Sequence, residues 1–339
     1  MVVNIVYSSS DYYSQCTGIS IYSLLKNNQD IPDIKIHILE TGISERNKSK
    51  IYEIVKKFNR EIEFIGAQEQ FDEYVRRLSF KYMRGSYNTY ARVMLNAWFS
   101  ELDKVLLIDS DTLVVGSIEE LWSTNMNGHL IGAVPEIAMY SPYSTYEDKK
   151  IVDASNPYFN MGIVLCNLKL WREKNIDNLI EEKLNNYKDD FKIADQSILN
   201  YLINSQMKRL HLKYNYYTSV HAVRYSTIKK VFSTNTIFDE NEFQQARENP
   251  VIIHFVGHSF ERPWFVNSIS IYRNMYLSYR EETPWKGQPL MNMPDPPNWV
   301  FGIYDKLTYM MLKLNLFDAT HWFRYISAQR IKNLIRQSR

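Results

Sequence analysis

Long apolar runs are missing from this chain of 339 residues, and without some eighteen consecutive apolar positions no helix is expected to span a bilayer. Cysteine is nearly absent too. Cys16 and Cys166 stand alone in apolar surroundings, without metal or redox spacing, so a reducing, cytoplasmic setting is expected. No basic leader precedes the strand-like start at Val2, so no signal peptide is expected. An excess of one charge is lacking: 40 Lys and Arg against 38 Asp and Glu leave a net +2, and no overall field argues for nucleic acid. No Gly-x-Gly-x-x-Gly follows the first strand and no Walker lysine loop occurs, which argues against a dinucleotide dehydrogenase or a P-loop enzyme.

What the chain does have is aromatic residues, at 14% with 25 Tyr, a composition suited to sugar rings or to a membrane surface. Strand and helix alternate through the first half. The pattern predicts strands at 4–7, 34–39 and 61–65, and a helix over 13–26. A second helix starts after an N-cap at Ser44, with Ile51, Ile54, Val55 and Phe58 on one face. A further helix is expected over 88–99, strands at 129–134, 162–167 and 251–255, and helices near 168–187 and 195–204. Such alternation implies right-handed crossovers and a mostly parallel sheet. The stretch 141–146 reads as a mobile lid or acceptor wall. Proline-rich 284–298 reads as a linker between a domain over 1–283 and a tail over 299–339.

The chemistry concentrates in 104–115, where apolar positions read as a fully buried strand and Asp109-Ser110-Asp111 stand where it ends. Two carboxylates this close repel each other unless a cation intervenes, and hard divalent ions favour carboxylate pairs with phosphate oxygens. A metal–diphosphate site at the carboxyl edge of an open α/β sheet is the simplest account. A turn whose Asp residues only cap the next segment would also explain the motif. Four further stretches carry polar groups to strand or helix ends: Ser8-Ser9-Ser10-Asp11-Tyr12-Tyr13, Asn160-Met161-Gly162, Asp195-Gln196 and His254-Phe255-Val256-Gly257 followed by Arg262-Pro263-Trp264. Each is weak alone. A strand-to-helix turn, an N-terminal carboxylate or a structural histidine would explain them singly.

In this order the motifs, with Thr89-Tyr90-Ala91-Arg92 upstream, resemble glycosyltransferase family 8 from the first strand to about Trp264. The similarity is strongest to its bacterial lipooligosaccharide galactosyltransferases and lipopolysaccharide glucosyltransferases. The resemblance implies a GT-A nucleotide-diphospho-sugar transferase fold, Rossmann-like, with a mixed, mostly parallel sheet flanked by helices and a C-terminal helical tail. It also implies retaining transfer from a UDP-hexose, of galactose or glucose, to a hydroxyl of a cell-surface glycan, lipid-linked oligosaccharide or glycoprotein, with Mn²⁺ or Mg²⁺. By the same resemblance Asp109, Asp111 and His254 would hold the metal. Ser8, Ser10, Asp11 and Tyr13 would grip uridine and ribose. Arg92, Ser110, Glu136, Asn160, Gly257 and Arg262 would line the donor, with Asp195 and Gln196 at the reacting sugar. The sequence departs from the family at Ser10, where an Asp is usual, and in the loop 258–262, where the family's loop is shorter and carries a Lys and Arg262 stands here instead. Two alternatives remain: a non-catalytic UDP-sugar-binding partner, and a haloacid-dehalogenase-type phosphatase, whose motif Leu113 breaks.

The tail differs in kind. Seven Lys or Arg face only Asp305 and Asp318 after position 298, interleaved with aromatic residues. Ile303, Leu307, Met310, Leu314 and Phe317 fall on one helical stripe, and Trp322, Tyr325 and Ile326 extend an apolar face. A basic amphipathic helix of this kind suits an anionic membrane surface, and a helix packed on the main domain with a solvated basic face fits as well.

Overall fold

The computed structural model describes residues 2–78, 88–140, 157–186, 194–220, 222–232, 237–294 and 299–323. The lid reading at 141–146 and the basic residues beyond 323 lie outside them. Seven strands form the main sheet: β1 (Val3–Ser10), β2 (Ile34–Thr41), β3 (Glu61–Gly66), β4 (Lys104–Ile108), β6 (Ile131–Pro135), β7 (Phe159–Asn167) and β8 (Met207–Arg209). Their order is β3-β2-β1-β4-β7-β6-β8, and β7 alone runs against its neighbours. A small second sheet has β10 (Ile252–His254) between β5 (Thr112–Val114) and β9 (Tyr216–Tyr217).

Helices cover both faces of the main sheet, so its central strands are apolar on both sides. Alternate residues feed two cores. Ile5, Tyr7, Leu106 and Ile108 join one with α1 (Ser14–Lys26), α2 (Glu45–Lys57) and the small sheet; Val6, Val105 and Leu107 join the other. The helix α2 begins where expected: the Ser44 hydroxyl accepts from the Asn47 N–H at 3.4 Å, and Ile51, Ile54 and Val55 are buried.

Asp109-Ser110-Asp111 stand where the buried strand β4 ends, as expected, and form the turn that crosses from it to β5 in the small sheet. Three expectations are corrected. Residues 88–99 form a 3₁₀ segment, Asn88–Val93, and one short turn of helix, Leu95–Trp98. The helix near 168–187 is broken into Leu168–Glu173 and Ile176–Asn186, with Asn175 at φ +52° between them. The described part of the proline-rich segment is no free linker. The Trp285 ring is buried against Gly18 of α1, Met291 N–H donates to Trp264 O at 3.0 Å, and Val266 N–H donates to Met291 O at 3.0 Å.

The tail helix Trp299–Lys313 docks through one side. Asp305 Oδ1 lies 2.8 Å from His258 Nδ1, Tyr309 packs edge-on to Phe260, and Thr308 is buried. After a break at Asn315, the helix Phe317–Trp322 turns inward, with Thr320 and His321 buried and Asp318 paired with Arg224. Phe317 thus leaves the stripe predicted for it and packs against the core.

Candidate active site

One edge of the molecule collects the ends of β1, β4, β6 and β10 and the start of the reversed strand β7. The Asp-Ser-Asp turn is pinned there from three sides. Asp109 N–H donates to Gly162 O at 2.8 Å, Phe255 N–H donates to Asp111 O at 2.9 Å, and Ser110 Oγ donates to Ser8 O at 3.1 Å. Ser110 itself accepts from Thr17 Oγ1 at 2.9 Å, and Thr17 shares a hydrogen bond with Ser9 at 2.7 Å. The hydroxyls thus bind the turn to α1, which frees the two carboxylates to point outward.

The Asp109, Asp111 and His254 ligand atoms lie within 4.8 Å of one another. His254 Nε2 is 3.2 Å from Asp111 Oδ1 and 3.9 Å from Asp109 Oδ2. The imidazole is buried, while the Asp109 and Asp111 side chains are 27% and 19% exposed, so the cluster opens to solvent on its carboxylate side. Burial opposes ionisation at both carboxyls, but the pair splits. At Asp109 burial and the neighbouring Asp111 charge win over Arg92, and its pKa rises; at Asp111 His254 and Arg262 win, and it falls. Burial works against a charged His254, yet Asp111 and Asp109 raise its pKa. A divalent cation would replace these mutual adjustments with direct ligation, and two carboxylates with one imidazole are a donor set that Mn²⁺ accepts.

Two guanidiniums flank the cluster. Arg92 donates from Nη2 to Asp109 Oδ1 at 2.7 Å and sets its Nε 3.0 Å from Asp195 Oδ2. Burial raises the Asp195 pKa even against Arg92. On the other side Arg262 Nη2 is 4.0 Å from Asp111 Oδ2, and its Nη1 donates to Tyr13 OH at 3.4 Å. Gly257, at φ +135°, lets the chain turn after β10 and carries it to this arginine. Among the described residues four carboxylates (Asp109, Asp111, Asp195 and Glu136) stand here with two guanidiniums, a net deficit of two positive charges when His254 is neutral. That deficit fits a divalent cation.

The other expected residues fall around this centre in different ways. Glu136 Oε2 accepts from Asn160 Nδ2 at 2.7 Å, and Gln196 Oε1 accepts from Met161 N–H at 3.1 Å. Ser8 and Ser10 are half-buried at the end of β1, and Ser8 Oγ has no hydrogen-bond partner among the described residues. Asp11 is turned away. Its Oδ1 accepts from Ser44 N–H and Asn47 Nδ2, both at 2.8 Å, and these bonds outweigh burial to hold its pKa low. One of its oxygens is therefore committed to the start of α2.

Sequence reasoning missed Asn215 and underused Asn200. Asn200 accepts from Phe159 N–H at 2.7 Å and donates to Phe159 O at 2.8 Å, fixing the start of β7 to the helix Ala194–Ile203. Its spacing of four from Gln196 was a readable signal. Asn215 carried none, because the strand after it has only two residues.

The profile of glycosyl transferase family 8 matches residues 4–268. The chain belongs to glycosyltransferase family 8. General stress protein A of Bacillus subtilis is 27% identical over 300 residues, covering 86% of this chain and 98% of that protein. The lipopolysaccharide 1,3-galactosyltransferase of Salmonella typhimurium is 23% identical over 298 residues, covering 85% of this chain and 81% of the relative. Among solved structures, the galactosyltransferase LgtC with donor and acceptor sugar analogues superposes with a TM-score of 0.67 at 22% identity, over 84% of this chain and 99% of that one. The fold is GT-A, and this family 8 chain is a glycosyltransferase enzyme. Membership implies a nucleotide-sugar donor and a glycan acceptor, and GT-A enzymes typically use a divalent metal.

Proposed function

We propose that this family 8 enzyme is a retaining, Mn²⁺-dependent hexosyltransferase. It takes galactose or glucose from a UDP-hexose and passes it to a hydroxyl of a cell-surface glycan, lipid-linked oligosaccharide or glycoprotein. The observation that carries the reading is the convergence of Asp109, Asp111 and His254 between Arg92 and Arg262 at one sheet edge. Mn²⁺ bound there would take up charge on the diphosphate as the anomeric bond breaks. Arg262 and the backbone at Gly257 hold the diphosphate from the other side, and Tyr13 orients Arg262. Ser8, Ser10 and Ser110 face the nucleoside end.

Retention by a covalent intermediate would need a free carboxylate beneath the sugar. Asp195 is buried in an ion pair with Arg92, and Gln196 is a poor nucleophile held to the Met161 backbone. These features support same-face attack instead. The acceptor oxygen bonds to the anomeric carbon as the carbon–phosphate-oxygen bond breaks, and the acceptor proton passes to the departing phosphate oxygen. Asp195, Asn160 and Glu136 orient hexose hydroxyls.

The tail over 299–339 is proposed as a membrane-facing unit on a catalytic unit whose packing runs past residue 283. Its support is the outward stripe of Ile303, Leu307, Met310 and Leu314, 45–67% exposed, beside Lys306 and Lys313. Such a face suits an anionic lipid surface at which lipid-linked acceptors lie. Among the described residues no helix is long and apolar enough to cross a membrane.

The test is a screen of UDP-sugars for Mn²⁺-dependent hydrolysis and transfer. Release of UDP from UDP-galactose or UDP-glucose is expected. Absence of release from any UDP-hexose with either Mn²⁺ or Mg²⁺ would sink the reading.

A further inference from the structure

Behind the metal candidates runs a chain of amide hydrogen bonds whose polarity a single backbone group dictates. Gly162 N–H lies 2.8 Å from one side-chain atom of Asn160. A backbone N–H can only donate, so that atom is the amide oxygen, and the Asn160 nitrogen faces Glu136 Oε2 at 2.7 Å. The same Asn160 oxygen is 2.8 Å from a side-chain atom of Asn215, which must therefore be Asn215 Nδ2. The remaining atom, Asn215 Oδ1, sits 2.9 Å from His254 Nδ1 and can only accept. His254 in its neutral form thus carries its proton on Nδ1. Its Nε2 lone pair is left facing Asp111 and Asp109.

Every link is out of water: Asn215 is 0% exposed, His254 4% and Asn160 6%. The fold holds them in line. Tyr217 pairs with His254 in the parallel β9–β10 register, and Asn215, two residues before Tyr217, shares its face. Gly162 adds a steric stop, since a Cβ there would lie 2.8 Å from His254 Nδ1 and closer still to Cε1.

We propose that Asn215 is a positioning residue: it selects the ring nitrogen that His254 presents to the cation and ties the cation site to the Asn160–Glu136 pair. The second half rests on the reading that Asn160 and Glu136 meet the donor hexose. The first half needs only the cation. Outer partners of this kind typically alter metal affinity by about 10–100-fold.

Asn215→Leu keeps the branched shape and removes both side-chain hydrogen bonds. Its Mn²⁺ dissociation constant, titrated without donor or acceptor, is expected to rise by about 10-fold or more. In ¹⁵N-histidine-labelled, metal-free protein at alkaline pH, the His254 ring signals are expected to move from the Nδ1–H pattern towards a mixture. Asn215→Asp restores an acceptor to Nδ1 and is expected to recover most of the Mn²⁺ affinity. It loses the donor to Asn160, so its preference for UDP-hexose over UDP falls. Asn215→Ser, too short to reach Nδ1, must show the same ring shift if the leucine variant does not fold.

A folded leucine or serine variant with unchanged Mn²⁺ affinity and an unchanged ring pattern overturns the proposal. So does a folded aspartate variant that fails to recover the affinity. Because Mn²⁺ and the ring are read in the protein alone, absence of hexosyl transfer would count against the proposed function and leave this result standing.

Discussion

The sheet edge that carries the candidate active site and the tail helix invert the usual arrangement of a protein in opposite directions. At the edge Arg92, Asp195, Asn160, Asn215 and His254 are buried, and all of them pair or hydrogen-bond within a few ångströms. On the helix Trp299–Lys313 Ile303, Leu307 and Met310 stand in solvent while the hydroxyl of Thr308 is inside. Buried polar groups and exposed apolar patches are the two observations that ordinary packing does not explain. The difference is in what each asks of a ligand. The edge is internally paired and short of positive charge by two, whereas the tail offers area with few fixed directions.

The largest effect that separates the two regions is expected from Asp111→Asn. It removes a carboxylate that stands between His254 and Arg262, and transfer should drop by about 10³-fold together with loss of Mn²⁺-dependent UDP binding, as read by calorimetry. Gln196→Ala should slow transfer with the donor still bound. Unchanged turnover in Asp111→Asn would break the assignment of the edge as a metal site.

Gly162→Ala acts on the same region without touching charge. The added methyl must displace the His254 ring or strand β7, and overpacking of this kind costs about 1–3 kcal/mol. Urea unfolding should show that loss, and Mn²⁺ binding should weaken in parallel. Full Mn²⁺ affinity in the alanine protein would mean that the ring position is not tightly specified.

On the tail, Leu307→Lys combined with Met310→Lys should reduce binding to vesicles containing anionic lipid by about 10-fold or more, since each buried leucine-sized side chain contributes about 1.5–3 kcal/mol. Transfer to a water-soluble acceptor should stay within about twofold, because neither side chain reaches the site. Equal vesicle binding by the variant and the parent would remove the membrane reading and leave the stripe for another partner.

The smallest effect tests whether any buried polar cluster behaves like the edge. His37 is buried between Glu63 and Asn4, at 2.5 Å and 3.0 Å. Burial lowers its pKa despite Glu63. A depressed pKa means that the neutral ring contributes stability above about pH 6.5, and this is lost as pH falls towards the folded-state pKa. His37→Asn should flatten the melting temperature between pH 6.5 and 5, with no change in Mn²⁺ affinity. A change in Mn²⁺ affinity would show that the two clusters are coupled.

Much of this was legible from residue order. Alternation located β2, the strand candidates at 4–7 and 61–65 fell on β1 and β3, and Ser44 announced α2. The positions 303, 307, 310 and 314 were readable as one stripe, but not as an outward one, because periodicity does not say which side faces the domain. The Asp-Ser-Asp motif was visible at the end of its buried strand, yet the apolar run after it did not announce a second sheet. The strands β5, β9 and β10 hold two or three residues each, too few for a period to register. Asn215 was invisible for that reason. Its partners come from β7 and β10, and only folding brings them together.

The crossing turn has one more consequence. Asp109 leaves the large sheet, whereas Asp111 and His254 travel with the small one, and α1 is the bracket between them. Ser23 Oγ accepts from Val114 N–H at 2.9 Å and Asn27 Nδ2 donates to Val114 O at 3.0 Å, both far along the helix from any ligand atom. The aperture of the site is therefore calibrated remotely, like the jaw of a vice set by its screw. Substitutions in that helix can retune the spacing of the three residues proposed to hold the ion without altering any of them.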